Sequence, residues 1–365
     1  MKRQENFEVL RSIAMVMIVI CHLYGYVIGD NPFSISTRGV SNYLLSKFLV
    51  VCSSVCVNVF ILISSYFSYN RPLNLKRITL LWLQIVFYSL LLTSLSIIVS
   101  SSAIPWKELI RSLFPVTNYA YWFCTVYFGF VFFTPFLSKM VMALSRKEHE
   151  MLLIVLFVFC CTFSHNIPLG ERMGLNNGFS LLWFIAIFFW GSYFKRFEIP
   201  VSKKTSYLLF FGSALLIGLL FGGKAYFMLK SGHPSLSIKF PTYNGFSFPL
   251  SLLLFLAFKK TSCQKGAVSH FLVKAAPFSF GVYLISEHPF IRPLLWQESV
   301  PWLSLQDDIW FIPVAVFLCF FIFLSGVFID WLRSLFFSLI HIPDLAEKVY
   351  DRIARRFPVL LTFPD

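Results

Sequence analysis

Ten long apolar segments divide this chain, and their lengths constrain its fold more than any other feature. They lie at 8–28, 43–68, 77–102, 120–142, 151–165, 179–195, 205–229, 245–259, 271–289 and 309–332. A transmembrane helix needs about 20 mostly apolar residues. The segments are too long for buried strands of a soluble protein, and they lack the two-residue alternation of a membrane β-barrel. We therefore predict an all-α fold, a polytopic membrane helical bundle of about ten transmembrane helices.

The composition agrees with a bilayer as the solvent of most of the chain. Of the 365 residues, 57% are hydrophobic and only 13% are charged, whereas a soluble domain has about 25% charged residues. This excludes a soluble multidomain protein and a disordered chain. The eight cysteines include no CxxC pair and lie mostly in the apolar segments, so we expect neither a disulfide framework nor a metal site.

The basic residues are distributed unevenly along the chain. The net charge is +14, with 31 Lys and Arg against 17 Asp and Glu, and such a balance first suggests a nucleic-acid partner. If the N-terminus is cytoplasmic, most of these residues fall at the two termini and in every second connection. Cytoplasmic loops carry this excess in membrane proteins. We therefore predict that both termini are cytoplasmic and that the basic residues meet membrane lipids rather than nucleic acid.

The last residues differ from the rest and suggest a separate tail. We divide the chain into a membrane domain over 1–340 and a short basic cytoplasmic tail over 341–365. In the tail, Leu345, Val349, Ile353 and Phe357 fall near one helical face among basic residues. Such a helix suits an anionic leaflet surface. A solvated tail with few contacts is the alternative, and the sequence leaves both open.

Three ionisable residues in the first apolar segment have an informative spacing. Arg11 precedes His22 by eleven positions, so at 100° per residue they share one helix face, about 16 Å apart along the axis. Glu8 is three residues from Arg11 and can pair with it. Ionisable groups inside a membrane mark function by default. A hydrogen-bonded core histidine is the alternative, and the residues alone do not decide.

The stretch NFEVLRSIAMVMIVICHLYGY at 6–26 resembles the opening of the acyltransferase 3 family, whose hallmark is Arg, ten residues, then His in the first helix. Four further stretches are similar to the family, and the second of them looks like its polysaccharide O-acetyltransferase branch. They are CVNVFILISSYF at 56–67, LFPVTNYAYWFCTVYFGFVFFTPFL at 113–137, GFSLLWFIAIFFWGSYFKRF at 178–197 and SFGVYLISEHPFIR at 279–292.

The resemblance implies an integral O-acyltransferase of the bacterial cytoplasmic (inner) membrane. It implies transfer of an acyl group, most simply acetyl from acetyl-CoA, to a hydroxyl of an envelope or lipid-linked polysaccharide. His22 is then the general base, and Glu8 and Arg11 on the same helix are the other two catalytic residues. Basic side chains suit the phosphates of CoA. This assigns donor binding to Arg11, Arg71, Lys76 and Arg77, although ordinary topology signalling also explains the last three.

The late part of the chain departs from the family pattern. Many members read Tyr-Leu-Ile-His, whereas this chain has Ser286 in the histidine position and His288 two residues later. Two residues turn a helix by about 200°, so His288 replaces that histidine only if the helix ends there. As acceptor-binding residues we predict Tyr121, Trp122, Tyr283, Glu287 and His288. An interfacial aromatic belt and a buried polar cluster are the alternatives.

Two other functions of polytopic proteins compete with acyl transfer. A transporter or flippase of a lipid-linked sugar also has many helices and buried polar groups. Transporters often contain repeated halves and Gly- or Pro-broken helices, but the chain has no matched halves, and no Gly or Pro separates Arg11 from His22. A glycan polymerase usually needs a large outer loop, and the predicted outer connections here are short.

Overall fold

The computed structural model describes residues 4–28, 40–99, 105–118, 120–163, 174–231, 242–262, 266–298 and 309–356. Within these ranges the chain is helical and contains no β-strand, which confirms the all-α class. The α-helices longer than five residues are α1 (Glu5–Leu23), α2 (Val40–Ser53), α3 (Cys56–Ser68), α4 (Leu75–Val99), α5 (Trp106–Arg111), α6 (Trp122–Ala143), α7 (Arg146–Phe157), α8 (Leu181–Arg196), α9 (Lys203–Ser231), α10 (Ser247–Lys259), α11 (Ala267–Ala275), α12 (Ser279–Ser286), α13 (Phe311–Leu339) and α14 (Ile342–Arg356).

Seven helical stretches of the described residues are long and apolar enough to cross a membrane. They are Glu5–Tyr26, Ser41–Ser68, Leu75–Val99, Trp122–Ala143, Lys203–Lys224, Ala267–Ser286 and Phe311–Leu339. The chain is therefore a polytopic helical membrane protein. The other three predicted spans coincide with the shorter helices α7, α8 and α10. The count of ten and the cytoplasmic termini stay predictions.

The helix boundaries differ from the predicted segments at specific residues. The long second segment is interrupted at Ser54 and Val55, between α2 and α3. The ninth segment changes to a 3-10 turn at Ala276–Phe278, which contains Pro277, between α11 and α12, and α12 ends at Ser286, ahead of Pro289. Proline removes a backbone donor and disfavours helix in the preceding residue. Residues 100–102, 164–165 and Phe357 of the predictions lie outside the described residues.

The chain forms two compact units, each built from three separate segments. The first contains Met1–Phe60, Ile199–Tyr283 and Pro293–Ser325. In this unit α1 packs against α2, α10 and α11. In the most apolar 18-residue part of the stretch that contains α1, 72% is buried inside the protein, compared with 22% in the corresponding part of α9. Helix α1 is therefore interior, whereas α9 presents most of its apolar side chains outward, as lipid contact requires.

The second unit contains Ile61–Glu198, Leu284–Arg292 and Gly326–Asp365. Here α8 packs against α6 and α7, and α14 packs against α4. Helix α7 begins with a capping box, in which the Ser145 side chain and the Glu148 side chain each accept from the other's backbone N–H, and this fixes its start. The division of the chain at residue 340 stays a prediction.

Two glycines allow α9 to approach α2 closely in the first unit. A Cβ atom at Gly218 would lie 3.2 Å from Phe48, and one at Gly222 would lie 2.9 Å from Leu44. Gly218 and Gly222 are four residues apart and therefore lie on one helix face. Small residues at this spacing are typical of close helix packing in membranes.

Candidate functional site

Arg11 and His22 lie on one uninterrupted helix, α1. They share a face of this helix, and both are half-buried. Met15 and Ile18 lie between them near the same face and are only 1% and 8% exposed. A molecule that extends from Arg11 to His22 along α1 must therefore displace the side chains that cover these two apolar residues.

Arg11 is paired with Glu8 as the spacing suggested. Arg11 Nη1 donates to Glu8 Oε1 at 2.7 Å, and the Glu8 side chain is 6% exposed, compared with 22% for Arg11. A charge-assisted bond of this kind holds the guanidinium in one orientation. Because a guanidinium has five N–H donors, pairing with one carboxylate does not exhaust its capacity to bind an anion.

An aromatic cluster surrounds His22 in the first unit. The Tyr26 ring centroid lies 5.9 Å from that of His22, and the Tyr283 centroid lies 6.4 Å from it. Trp296 stacks against Tyr26 with a centroid distance of 6.5 Å. Of these rings, the sequence singled out only Tyr283. Tyr26 is detectable as the i+4 neighbour of His22, whereas Trp296 reaches the cluster only through tertiary packing.

Lys47 is a buried basic residue of the first unit that was not predicted from the sequence. It lies on α2, with Nζ 4.4 Å from the Tyr24 ring centroid and 5.3 Å from that of Tyr43. The faces of aromatic rings attract a cation and offset part of its desolvation cost. The Lys47 amine therefore lies against the ring of Tyr24, two residues after His22.

The other predicted donor-binding residues lie at the start of α4, in the second unit. Asn74 caps this helix by accepting from the backbone N–H of Arg77 at 2.9 Å. The Arg77 side chain is exposed, and Lys76 Nζ lies 2.7 Å from Glu347 Oε2 on α14. Positive charges near a helix N-terminus interact unfavourably with the helix dipole. Stabilisation of α4 therefore does not explain why Lys76 and Arg77 are basic. Topology signalling and anion binding remain as explanations.

Tyr121 and His288 make structural contacts in the second unit. The Tyr121 hydroxyl donates to the Leu284 carbonyl at 3.0 Å, near the end of α12. Because α12 ends at Ser286, His288 lies beyond the helix and is not held about 200° away from the expected position. His288 Nε2 lies 3.3 Å from Thr93 Oγ1. These contacts favour the buried-cluster alternative for both residues.

Trp122 and Glu287 complete the predicted acceptor-binding group. The Trp122 ring lies 4.5 Å from Phe179, centroid to centroid, and also contacts Phe123. Glu287 is buried, and its Oε2 lies 3.9 Å from Arg292 Nη1. The second unit thus contains four of the five predicted residues, whereas Tyr283 belongs to the first unit with His22.

A buried carboxylate on α13 was missed by the sequence analysis. Asp330 is fully buried and accepts from Gln84 Nε2 at 2.9 Å and from the Tyr88 hydroxyl at 3.0 Å. Arg333 donates to both of its carboxylate oxygens, at 2.8 and 3.0 Å. All these partners lie in the second unit. Through these hydrogen bonds the Asp330 carboxylate links α13 to α4, which indicates a structural role for Asp330.

Comparison with known families identifies the chain. The sequence model of the acyltransferase 3 family, described as an acyltransferase domain, matches residues 4–331 of the 365. The chain therefore belongs to this family and is a membrane acyltransferase, as the resemblance implied. No curated protein and no solved structure matches the chain. Within the described residues, no group of three or more His, Cys, Asp or Glu side chains is placed to hold a metal ion.

Proposed function

We propose that this protein is an acyl-CoA-dependent O-acyltransferase that acetylates a hydroxyl of a cell-envelope or lipid-linked polysaccharide. The observation that carries the proposal is the placement of Arg11 and His22 on one face of the interior helix α1, with Glu8 paired to Arg11. Burying three ionisable side chains in an interior membrane helix costs free energy, and ionisable residues in such places usually have a function.

The proposed chemistry needs one base and one electrophile. The neutral imidazole of His22 takes the proton from the acceptor hydroxyl, and the hydroxyl oxygen attacks the thioester carbonyl carbon. The tetrahedral intermediate then collapses, the carbon–sulfur bond breaks, and the CoA thiolate takes the proton from the imidazolium. The net reaction converts a thioester and an alcohol into an ester and a thiol.

Donor binding is assigned to basic residues on the side predicted to be cytoplasmic. Arg11, oriented by Glu8, is the first choice, because a fixed guanidinium gives bidentate contacts to phosphate oxygens. Arg71, Lys76 and Arg77 are further choices in the second unit, and the bond from Lys76 to Glu347 weakens the case for Lys76. We place the reaction in the bacterial cytoplasmic membrane, with the pantetheine arm directed from Arg11 towards His22.

The test uses the full chain in lipid nanodiscs, radiolabelled acetyl-CoA, and the envelope polysaccharide purified from cells that lack the gene. We expect the wild type to label the polysaccharide and His22→Ala to lose about 100-fold or more of the rate, the contribution typical of a general base. His270→Ala is the matched control, because His270 is exposed on α11, and it should keep full activity.

Two results would contradict this proposal. Full activity of His22→Ala would remove the histidine from the mechanism, provided that both proteins accumulate equally in the membrane. The protein would instead be a flippase if it moved a lipid-linked sugar across the membrane of sealed liposomes without any acyl-CoA and did not label the polysaccharide.

A further inference from the structure

The ring of Tyr26 contacts both the His22 ring and the Trp296 ring. It lies 5.9 Å from the His22 ring and 6.5 Å from the Trp296 ring, centroid to centroid. Tyr26 is 37% exposed, whereas Trp296 is only 1% exposed. All three side chains belong to the first unit. An accessible ring is thus bordered by the predicted base and by a buried indole.

The buried indole has a polar atom that the described residues leave without a hydrogen-bond partner. Trp296 Nε1 is buried and makes no hydrogen bond to any described residue. An unsatisfied buried N–H is unfavourable, and buried tryptophan usually finds an acceptor. An oxygen of a bound ligand is one way to supply that acceptor. A ligand oxygen is therefore favoured next to Trp296, whose ring contacts Tyr26.

We propose that Tyr26 and Trp296 form the binding site for one pyranose ring of the acceptor. The apolar C–H face of the sugar stacks on Tyr26, and a sugar oxygen accepts from Trp296 Nε1. A hydroxyl at the opposite edge of the sugar is then directed to His22. This inference rests on the proposed function, since it names the residues that select the acceptor for the same histidine.

Tyr283 is a second tyrosine whose ring contacts His22. It contacts His22 at 6.4 Å and stacks against Phe280 at 6.0 Å, centroid to centroid. Because this ring lies next to His22, it restricts which hydroxyl of a stacked sugar reaches the imidazole. The aromatic cluster thus determines which sugar hydroxyl reaches His22 as well as how tightly the sugar binds.

The experiment measures acceptor binding without any acyl donor. The probe is the fluorescently labelled polysaccharide from cells that lack the gene, titrated against the full chain in nanodiscs. Trp296→Phe keeps an aromatic ring, although a smaller one, and removes the N–H, and we expect its dissociation constant for the polysaccharide to rise about fivefold, the loss of one neutral hydrogen bond. Tyr26→Leu should weaken binding several-fold through lost stacking. Trp82→Phe and Tyr226→Leu, at exposed positions on α4 and α9, are the matched controls.

A purely structural role for Trp296 predicts a different result. Because Trp296 is buried, Trp296→Phe leaves a small cavity and lowers thermal stability in either role. A purely structural role leaves the affinity of the folded protein for the polysaccharide unchanged, whereas the proposed contact lowers it, so binding is compared per folded molecule. Unchanged affinity in both variants, or no binding by the wild type, would overturn the site. Binding that depends on Trp296 without any acyl transfer would keep the site and reject the proposed reaction. Acyl transfer that is unaffected by both substitutions would keep the proposed reaction and reject the sugar site.

Discussion

Arg11 and Glu8 form a close ion pair across one turn of α1, with Nη1 2.7 Å from Oε1. The pair is mostly buried, and neither charge is expected in an apolar helix unless it has a partner. Glu8 reduces the desolvation cost of Arg11 and fixes its direction. If Arg11 holds a phosphate of the donor, Glu8 is then a positioning residue for donor binding.

We expect Glu8→Gln to raise the KM for acyl-CoA about three- to tenfold and to change kcat less. Glutamine still accepts a hydrogen bond but no longer carries the charge that orients the guanidinium, a loss of about 1 kcal/mol for a partly buried pair. Steady-state kinetics with varied acyl-CoA measure the effect. Glu108→Gln is the control, because Glu108 pairs with Arg111 at 2.8 Å and the same three-residue spacing on exposed α5. An equal effect of both changes would exclude a specific role for Glu8.

The second prediction concerns the apolar stretch between Arg11 and His22. We expect Ile18→Phe to reduce acyl transfer tenfold or more while CoA without an acyl group still binds, because the larger ring obstructs the path to His22. Ile20→Phe makes the same change on the opposite side of α1, where Ile20 is half-buried, and should lower activity much less. Overpacking costs about 1–3 kcal/mol of stability in either position, so transfer is compared per folded molecule. Similar losses in both variants would reject the path along α1.

The third prediction concerns Asp330. Replacement by Ala leaves Arg333 and Gln84 without their carboxylate, so we expect a loss of about 3–5 kcal/mol in stability, the usual result of breaking a buried pair. Thermal unfolding in detergent measures the change. Asp344→Ala is the control, since Asp344 meets His341 at 2.9 Å on the surface and should matter by less than about 1 kcal/mol. Normal stability with loss of activity in Asp330→Ala would reassign this carboxylate to function.

The helices and the Arg11–His22 relationship were predictable from the sequence because both depend on local rules. Apolar length defines a membrane helix, and 100° per residue places two positions on one face. The pair of Glu8 and Arg11 is local for the same reason. The fold class and the family are accordingly confirmed, whereas the roles assigned to these residues stay predictions.

The surroundings of His22 were only partly predictable because they depend on packing between distant segments. Trp296 is far from Tyr26 in the sequence, and no periodicity connects them. Tyr121 and Trp122 were selected by their motif, but a motif does not show that their contacts are with Leu284 and Phe179. Proline chemistry was the missed local signal, because Pro289 explains why α12 ends before His288.

The last prediction concerns His149, a buried histidine of α7 in the second unit. Its Nε2 donates to the Phe189 carbonyl at 2.9 Å, and its Nδ1 lies 3.4 Å from Arg196 Nη1. These contacts fit a neutral ring whose Nδ1 accepts. Burial lowers the pKa of His149 below its ordinary value of 6.5, and the charge of Arg196 lowers this pKa further, although the Phe189 carbonyl opposes both.

The unfolded chain therefore binds a proton at His149 at a higher pH than the folded protein does. Stability from this residue is complete above about pH 6.5 and is lost as the pH falls towards the folded pKa, by at most about 1.4 kcal/mol per pH unit. We expect the thermal midpoint to fall between pH 7 and pH 5, and His149→Gln to remove part of this fall. If His149→Gln has the same pH profile as the wild type, His149 is not the group that titrates.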